Sequence, residues 1–97
     1  MRRLTFVRDE RKDRANQRKH GISFAEARTV FYDDDAREFA DPDHSAGEER
    51  FILLGISSRL RVLVVCHCYR ESESVIRIIS ARRAQPSEEE AYWSRRT

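Results

Sequence analysis

A β-type run near the end of the chain holds the cations best suited to chemistry. The segment Val75–Ala84 is apolar and β-branched, with Arg77 inside it and Arg82 and Arg83 at its end. Arginine presents a planar fork of donors that matches a phosphate group, so cations fixed on a strand suit a polyanionic ligand. The same pattern fits an edge strand whose arginines are only solvated. The segment therefore indicates either a phosphate-binding strand or a solvated sheet edge.

A histidine in the preceding apolar run is a candidate acid or base. His67 stands between Cys66 and Cys68, and strand alternation places it on the opposite face from both sulfurs. This arrangement disfavours a metal site, and neighbours two apart are a poor disulfide pair, so two thiols are expected. A lone histidine there fits a hydrogen-bonded core residue or an acid/base group. If Arg77 lies beside it on the neighbouring strand, an acid/base group would adjoin a phosphate-binding cation.

A second basic pair, Lys19 and His20, stands at the end of a predicted helix. The carbonyl end of the helix dipole favours positive charge, which suits a phosphate clamp or a general acid better than a base. The alternative is ordinary capping of the helix C-terminus.

A loop and strand start near the middle of the chain hold His44, Glu49 and Arg50. Glu49 is the acid that we nominate as a general base, and a structural ion pair between Glu49 and Arg50 is the alternative. If their strand continues, Arg82 and Arg83 point in opposite directions. We then expect one of them, preferably Arg82, to reach a substrate, and the other to pair with an acid such as Glu48 or Glu49. Tyr69, Tyr92 and Trp93 are the aromatic candidates for stacking a base.

The first of the elements that must position these residues is a polar helix. Asp9 is a cap for a helix that runs to about Lys19, and Gly21 fits the left-handed position that closes it. Only Ala15 is apolar between Asp9 and His20, so the helix buries little. It has to be held by its ends or by a partner surface.

The remaining elements follow from capping, periodicity and turn residues. Ser23 and Glu26 form a capping box for a second helix, from about Ser23 to Phe31. Pro86 opens a short C-terminal helix. Strands are predicted over residues 4–7, 36–40, 50–57, 61–69 and 75–81. Short links between the last three strands imply an antiparallel meander.

Length and composition limit the classes of protein that fit. A chain of 97 residues with 39% hydrophobic content predicts one domain, residues 1–97, with one modest core. Although 37% of the residues are charged, the net charge is only +2, which argues against a generally basic protein that coats nucleic acid. The chain shows neither a membrane-length apolar run nor the apolar run of a signal peptide, so a cytoplasmic location without membrane contact is expected.

Three blocks of the sequence resemble the BrnT family of type II toxins. The likeness extends from about Phe6 to Tyr92, with the blocks in the family's order and spacing. The sequence departs from the family at Arg8, where Trp is usual, and at Glu10, where Pro is frequent. The blocks are Asn16–Ala27, Asp41–Ser45 with Gly47–Phe51, and Arg77–Ala84.

The resemblance implies a RelE-like α+β fold, in which a small antiparallel sheet packs with two N-terminal helices and a short C-terminal helix. It implies a toxin that cleaves RNA as a metal-independent endoribonuclease, without a cofactor, and so inhibits translation. It also implies neutralisation by a BrnA-like antitoxin, in a hetero-oligomer that binds promoter DNA through the antitoxin. An acidic or strand-adding segment laid across a basic site would silence the toxin.

Metal-independent cleavage needs a base for the 2′-hydroxyl, cations for the phosphorane and an acid for the leaving oxygen. The assignment of base and acid is open. Two other functions compete: a non-catalytic nucleic-acid-binding module, and an interaction module in which the histidines are dispensable. The expected catalytic residues are Lys19, His20, His67, Arg77 and Arg82, and the expected RNA-binding residues are His44, Glu49, Arg50 and Arg83.

Overall fold

The computed structural model of the protein describes residues 3–41 and 48–96 as an α+β fold. The strands are β1 (Thr5–Phe6), β2 (Arg37–Ala40), β3 (Phe51–Ile56), β4 (Val62–Arg70) and β5 (Ser72–Arg83). The helices are α1 (Glu10–His20), α2 (Phe24–Thr29) and α3 (Pro86–Arg96). The predicted helices and strands are therefore confirmed, apart from their bounds. His44 lies outside the described residues.

The strands form one sheet in the order β1-β5-β4-β3-β2. The predicted antiparallel meander is confirmed for β2 to β5, whereas β1 joins β5 in parallel, so the sheet is mixed. Strand β4, which carries His67, is the central strand of the sheet. No helix of the described chain is long and apolar enough to cross a membrane.

Helix α1 follows its predicted caps and is attached to the sheet by an amide. Asp9 accepts a hydrogen bond from the Lys12 amide at 3.0 Å, and Gly21 closes the helix with φ 74°. The buried residue of this helix is Asn16. Its side-chain Nδ2 donates to the carbonyl of Ala81 at 2.9 Å, and its Oδ1 accepts from the Ala81 amide at 3.0 Å. Polar side-chain bonding thus replaces the apolar face that α1 lacks.

Helix α2 starts as predicted but ends earlier. Ser23 caps it by accepting a hydrogen bond from the Glu26 amide at 3.1 Å. The capping box is only half formed, because the Glu26 carboxylate turns to Ser57 and Arg61 instead of reaching back to the Ser23 amide. A 3₁₀ turn over Val30–Tyr32 follows α2.

The two faces of the sheet have different covers. We call the face with Leu53, Leu63 and Val65 the helix face, since apolar residues of α2 and its flanks pack on it. Gly55 belongs to this face, and a Cβ there would lie 2.8 Å from the Val30 side chain, so glycine permits the close approach.

The other face, which carries Leu54, Val64 and Cys66, we call the open face. Helix α3 covers one end of it through the buried Tyr92, whose hydroxyl donates to Asp33 at 2.7 Å. The rest of the open face, towards Cys66 and Cys68, is where the polar side chains gather.

A bulge in β5 decides which arginine faces which way. The register pairs Cys66 with Ser80 and His67 with Ile78, so Ile79 is the extra residue. After the bulge, Arg77 pairs with Cys68. Paired residues share a face, so Arg77 lies on the open face and His67 on the helix face.

Candidate active site

Three arginines meet one carboxylate on the open face. Glu48 Oε2 lies 3.3 Å from Arg70 Nη1 and 3.5 Å from Arg77 Nη1, and Glu48 Oε1 lies 4.0 Å from Arg50 Nε. The three arginine side chains are between 28 and 49% exposed. We call Glu48, Arg50, Arg70 and Arg77 the arginine cluster.

Three neighbouring segments place the arginine cluster. Arg77 stands on β5 opposite Cys68 of β4, and Arg70 is the last residue of β4. Arg50 immediately precedes β3, and by alternation it shares the open face with Ile52. The guanidinium groups thus approach from three segments, and the sheet fixes two of them by its register.

The electrostatics keep the central carboxylate ionised. A hydrogen bond from the Cys68 thiol is the largest cause that lowers the pKa of Glu48, and the charges of Arg77, Arg70 and Arg50 lower it further. Burial and the bond to Glu48 raise the pKa of the Cys68 thiol. Cys68 therefore remains a neutral donor at neutral pH, beside a charged Glu48.

The arginine cluster carries more positive than negative charge. Within the four residues of the cluster, three guanidinium groups face one carboxylate, and the described Asp41 carboxylate acts on the neighbouring Cys66. Buried Arg50 Nε has no hydrogen-bond partner among the described residues. Such a group of donors suits a phosphodiester, and the ionised carboxylate in its middle is able to accept a proton.

His67 lies in a separate polar group on the helix face. It is fully buried, and its Nε2 lies 2.8 Å from Glu38 Oε2 while its Nδ1 lies 3.2 Å from the Val65 carbonyl. Tyr69 donates its hydroxyl hydrogen to the same Glu38 oxygen. The expected approach of His67 to Arg77 is wrong, because the two side chains stand on opposite faces.

The two arginines at the end of β5 diverge as predicted, but Arg82, which was preferred as the residue that reaches a substrate, is itself paired with an acid. Arg82 pairs in register with Val64 and Arg83 with Leu63, which places them on opposite faces. Arg82 forms two hydrogen bonds of 2.9 Å with Glu88 of α3, not with an acid of the loop before β3. Its guanidinium joins α3 to the sheet.

The other predicted site residues do not join the arginine cluster through any described contact. Lys19 and His20 form the last turn of α1. Glu49 is exposed, and the alternative ion pair between Glu49 and Arg50 is replaced by the contact of Arg50 with Glu48. Tyr92 is fully buried, which removes it as a base-stacking residue.

Of the predicted residues, the structure thus brings together Arg50 and Arg77. Sequence reasoning missed Glu48 and Arg70 as members of the site. Their signal was positional, because both flank the strand ends that meet Arg77 across the open face. Within residues 3–41 and 48–96, no three His, Cys, Asp or Glu side chains lie close enough to hold a metal ion.

Comparisons with known proteins place this geometry in a family. The fold resembles the 1.1 Å crystal structure of the Brucella abortus ribonuclease toxin BrnT, with a TM-score of 0.60 and 23% sequence identity. The match covers 88% of this chain and 99% of that one. No curated protein matches the chain in sequence. A family model described as "Ribonuclease toxin, BrnT, of type II toxin-antitoxin system" matches residues 9–88. The chain therefore belongs to the BrnT family of ribonuclease toxins.

Proposed function

We propose that the arginine cluster is the active site of a metal-independent endoribonuclease that attacks RNA through its own 2′-hydroxyl. A single observation supports this assignment: three arginines from three segments share one ionised carboxylate on an open sheet face. Cations in surplus bind a polyanion, and a carboxylate among them provides the base that a binding surface alone does not need.

In the proposed mechanism, Glu48 accepts the proton of the 2′-hydroxyl while its oxygen attacks the adjacent phosphorus. The bond from phosphorus to the 5′-oxygen breaks, and that oxygen takes a proton. The products are a 2′,3′-cyclic phosphate and a 5′-hydroxyl. A lowered pKa holds Glu48 in its accepting form, at the expense of basicity. Arg50, Arg70 and Arg77 offset the charge that develops on the phosphorane.

The mechanism also requires an acid that protonates the leaving 5′-oxygen. Lys19 and His20, in the last turn of α1, are the candidates for this role, and His44 keeps its expected role in RNA binding. His67 is fully buried and bonded to Glu38, so direct contact with RNA would need the helix face to open. We therefore assign His67 a positioning role, in which it orients Glu38. Arg82 is assigned a similar role towards α3.

The cellular consequences follow from the same site. Cleavage of cytoplasmic RNA would inhibit translation, and a BrnA-like antitoxin would neutralise the toxin by covering the arginine cluster with an acidic or strand-adding segment. In the resulting hetero-oligomer, the antitoxin would bind promoter DNA. The surplus positive charge of the cluster supports an acidic inhibitor, since complementary charge favours both encounter and register.

The test uses the full-length protein, freed of antitoxin, with single-stranded RNA in EDTA. Wild-type protein should release fragments that end in a 2′,3′-cyclic phosphate, and Glu48→Gln, which keeps the shape but not the base, should slow release at least about a hundredfold. Cleavage by Glu48→Gln at the wild-type rate would overturn the role of Glu48. Loss of wild-type cleavage in EDTA, with recovery on adding Mg²⁺, would overturn metal independence.

A further inference from the structure

An apolar groove continues the open face beyond the arginine cluster. It lies between β2 and α3, has a volume of about 560 Å³, and is lined by Phe39, Ile52, Leu54, Val64 and Ala91 among others. The core of the sheet does not fill it, and its floor is formed by side chains of β3 and β4.

The rim of the groove carries an aromatic ring and a cation. Phe39 is 42% exposed although it stands on a strand, and the Arg37 guanidinium carbon lies 5.0 Å from the centre of its ring. Arg37 Nε has no hydrogen-bond partner in the described part of the chain. Nucleic-acid bases stack on exposed aromatic rings, and a neighbouring arginine adds a cation–π contribution.

The groove and the arginine cluster are continuous along one strand. Arg50 and Ile52 share the open face of the sheet and stand two residues apart, roughly 6.6 Å along β3. Ile52 pairs across the sheet with Phe39. If an RNA phosphate binds at Arg50, a neighbouring base of that RNA chain therefore lies above the groove.

The charge of the groove permits a polyanion to enter. Glu88 is the carboxylate on its rim, and both of its oxygens are bonded to Arg82. Arg37 adds one positive charge on the opposite side. An RNA chain that enters the groove would also reach the arginine cluster beside it, and the exposed Phe39 ring offers a stacking surface that suits a base rather than a carboxylate.

We propose that the groove is a nucleobase subsite of the ribonuclease, in which one unpaired base of the RNA stacks on Phe39 with Arg37 beside it. The proposal rests on the arginine cluster as the RNA-cleaving site and adds how the substrate is positioned there. Single-stranded RNA is the substrate class that it requires, because a base within a duplex cannot lie in the groove.

The experiment measures binding of a 2′-O-methyl decamer, which cannot be cleaved, to the full-length protein. A series of decamers carries one abasic residue at successive positions. Phe39→Leu should weaken binding of the intact decamer roughly five- to tenfold, near the lower end of the loss caused by removing one base–aromatic stack. Phe39→Trp should bind at least as well as wild type. Tyr32→Leu, which removes another exposed ring, should bind as wild type does.

The abasic series identifies the cause of the loss. At one position, removal of the base should weaken wild-type binding by the same factor as Phe39→Leu, and should have no further effect in that variant. The subsite would be overturned if Phe39→Leu bound the intact decamer with wild-type affinity. It would also be overturned if Phe39→Leu lost the same factor of affinity for every abasic decamer, whichever base is missing. Weaker antitoxin binding with RNA binding unchanged would show a protein-docking groove instead.

The same measurement separates this proposal from the one on which it rests. Arg77→Ala should weaken binding of all decamers alike, because phosphate contacts do not read bases. If Arg77→Ala binds and cleaves as wild type does, the arginine cluster is not the active site, whatever Phe39→Leu shows. If only Phe39→Leu is silent, the cluster stands and the subsite falls.

Discussion

Glu26 and Glu48 are both held by arginine, and they differ in how the charge is balanced. Glu26, whose side chain is 3% exposed, accepts from Arg61 Nε at 2.9 Å and from the Ser57 hydroxyl at 2.7 Å. Glu48, whose side chain is 31% exposed, faces three arginines. The first group joins α2 to the hairpin between β3 and β4, and the second joins strand ends on the open face.

The difference separates a structural ion pair from a site prepared for a ligand. At Glu26 one arginine, Arg61, bonds the buried carboxylate directly, and Arg59 contributes only a weaker charge effect. At Glu48 three partly exposed arginines share one carboxylate, so a bound phosphate group would neutralise the remaining positive charge of the cluster. Counting charges within a cluster is therefore more informative here than the presence of a salt bridge.

The largest expected effect is a loss of RNA cleavage when an arginine of the arginine cluster is removed. Arg77→Ala should lower kcat/KM for RNA by about 10²- to 10³-fold, as loss of one transition-state donor does elsewhere. Arg14→Ala, an exposed arginine on α1, removes the same charge at a distance and should cleave at the wild-type rate. Initial cleavage rates at equal protein concentration decide the matter, and parity between the two variants would contradict the assignment.

Protein stability should depend more on the ion pair of Glu26 than on the arginine cluster. Arg61→Ala leaves Glu26 buried without its cation and should lower the free energy of unfolding by roughly 2–3 kcal/mol, below the full penalty for a buried pair because Arg61 is partly exposed. Glu26→Gln leaves the arginine free to reach solvent and should cost less. Urea denaturation at pH 7 measures both. Equal losses would mean that burial of Glu26 is not the source.

Acid should act on the same group. Arg61 lowers the pKa of Glu26 below its ordinary value of 4.5. A carboxyl with a lowered folded-state pKa contributes stability that is present above its unfolded pKa and is lost as pH falls through its folded pKa. Wild type should therefore lose more stability between pH 6 and 3 than Arg61→Ala does. Parallel pH profiles of the urea midpoint would argue against the linkage.

Salt provides a smaller test of the arginine cluster. Each phosphate contact contributes about −0.7 to the slope of log affinity against log salt for a single strand. Arg70→Ala should reduce the magnitude of the slope by roughly that amount, while Arg59→Ala, an exposed arginine of the hairpin between β3 and β4, should leave it unchanged. Binding of the uncleavable decamer at four salt concentrations gives the slopes.

The smallest effect is expected at Arg82. Its pair with Glu88 is partly exposed on both sides, so Arg82→Ala should cost less than about 1 kcal/mol of stability and leave cleavage within a fewfold of wild type. The sequence placed Arg82 among the catalytic residues. A hundredfold loss of cleavage with an unchanged melting temperature would restore that assignment.

The sequence predicted those elements that are set by local rules. Asp9, Gly21 and Ser23 cap helices because each acts within a few residues of its own position. Strand alternation separated His67 from both cysteines for the same reason. In these places propensity and structure agree because nothing distant competes.

The sequence did not predict contacts between residues that are far apart in the chain. The bulge at Ile79 moves Arg77 to the face opposite His67, and no local signal marks it. Glu26 fits a capping box, but its carboxylate bonds to Arg61, 35 positions along the chain, instead of to the Ser23 amide, because a hydrogen bond to a charged partner is stronger. The site at Glu48 likewise depends on strand ends that meet only after the sheet has formed.

Asn16 has a consequence for how other chains can join the sheet. Among the described residues, strand β1 pairs with β5 at Val75 and Ile76, and farther along β5 the Asn16 side chain occupies both the amide and the carbonyl of Ala81. An incoming strand could not pair with β5 there without first displacing a whole helix. On the far side of the sheet, β2 presents four residues with no described strand beyond them. A partner strand can therefore add to the sheet at one edge only: the β5 edge is blocked at Ala81, whereas the β2 edge, beside Phe39, is open.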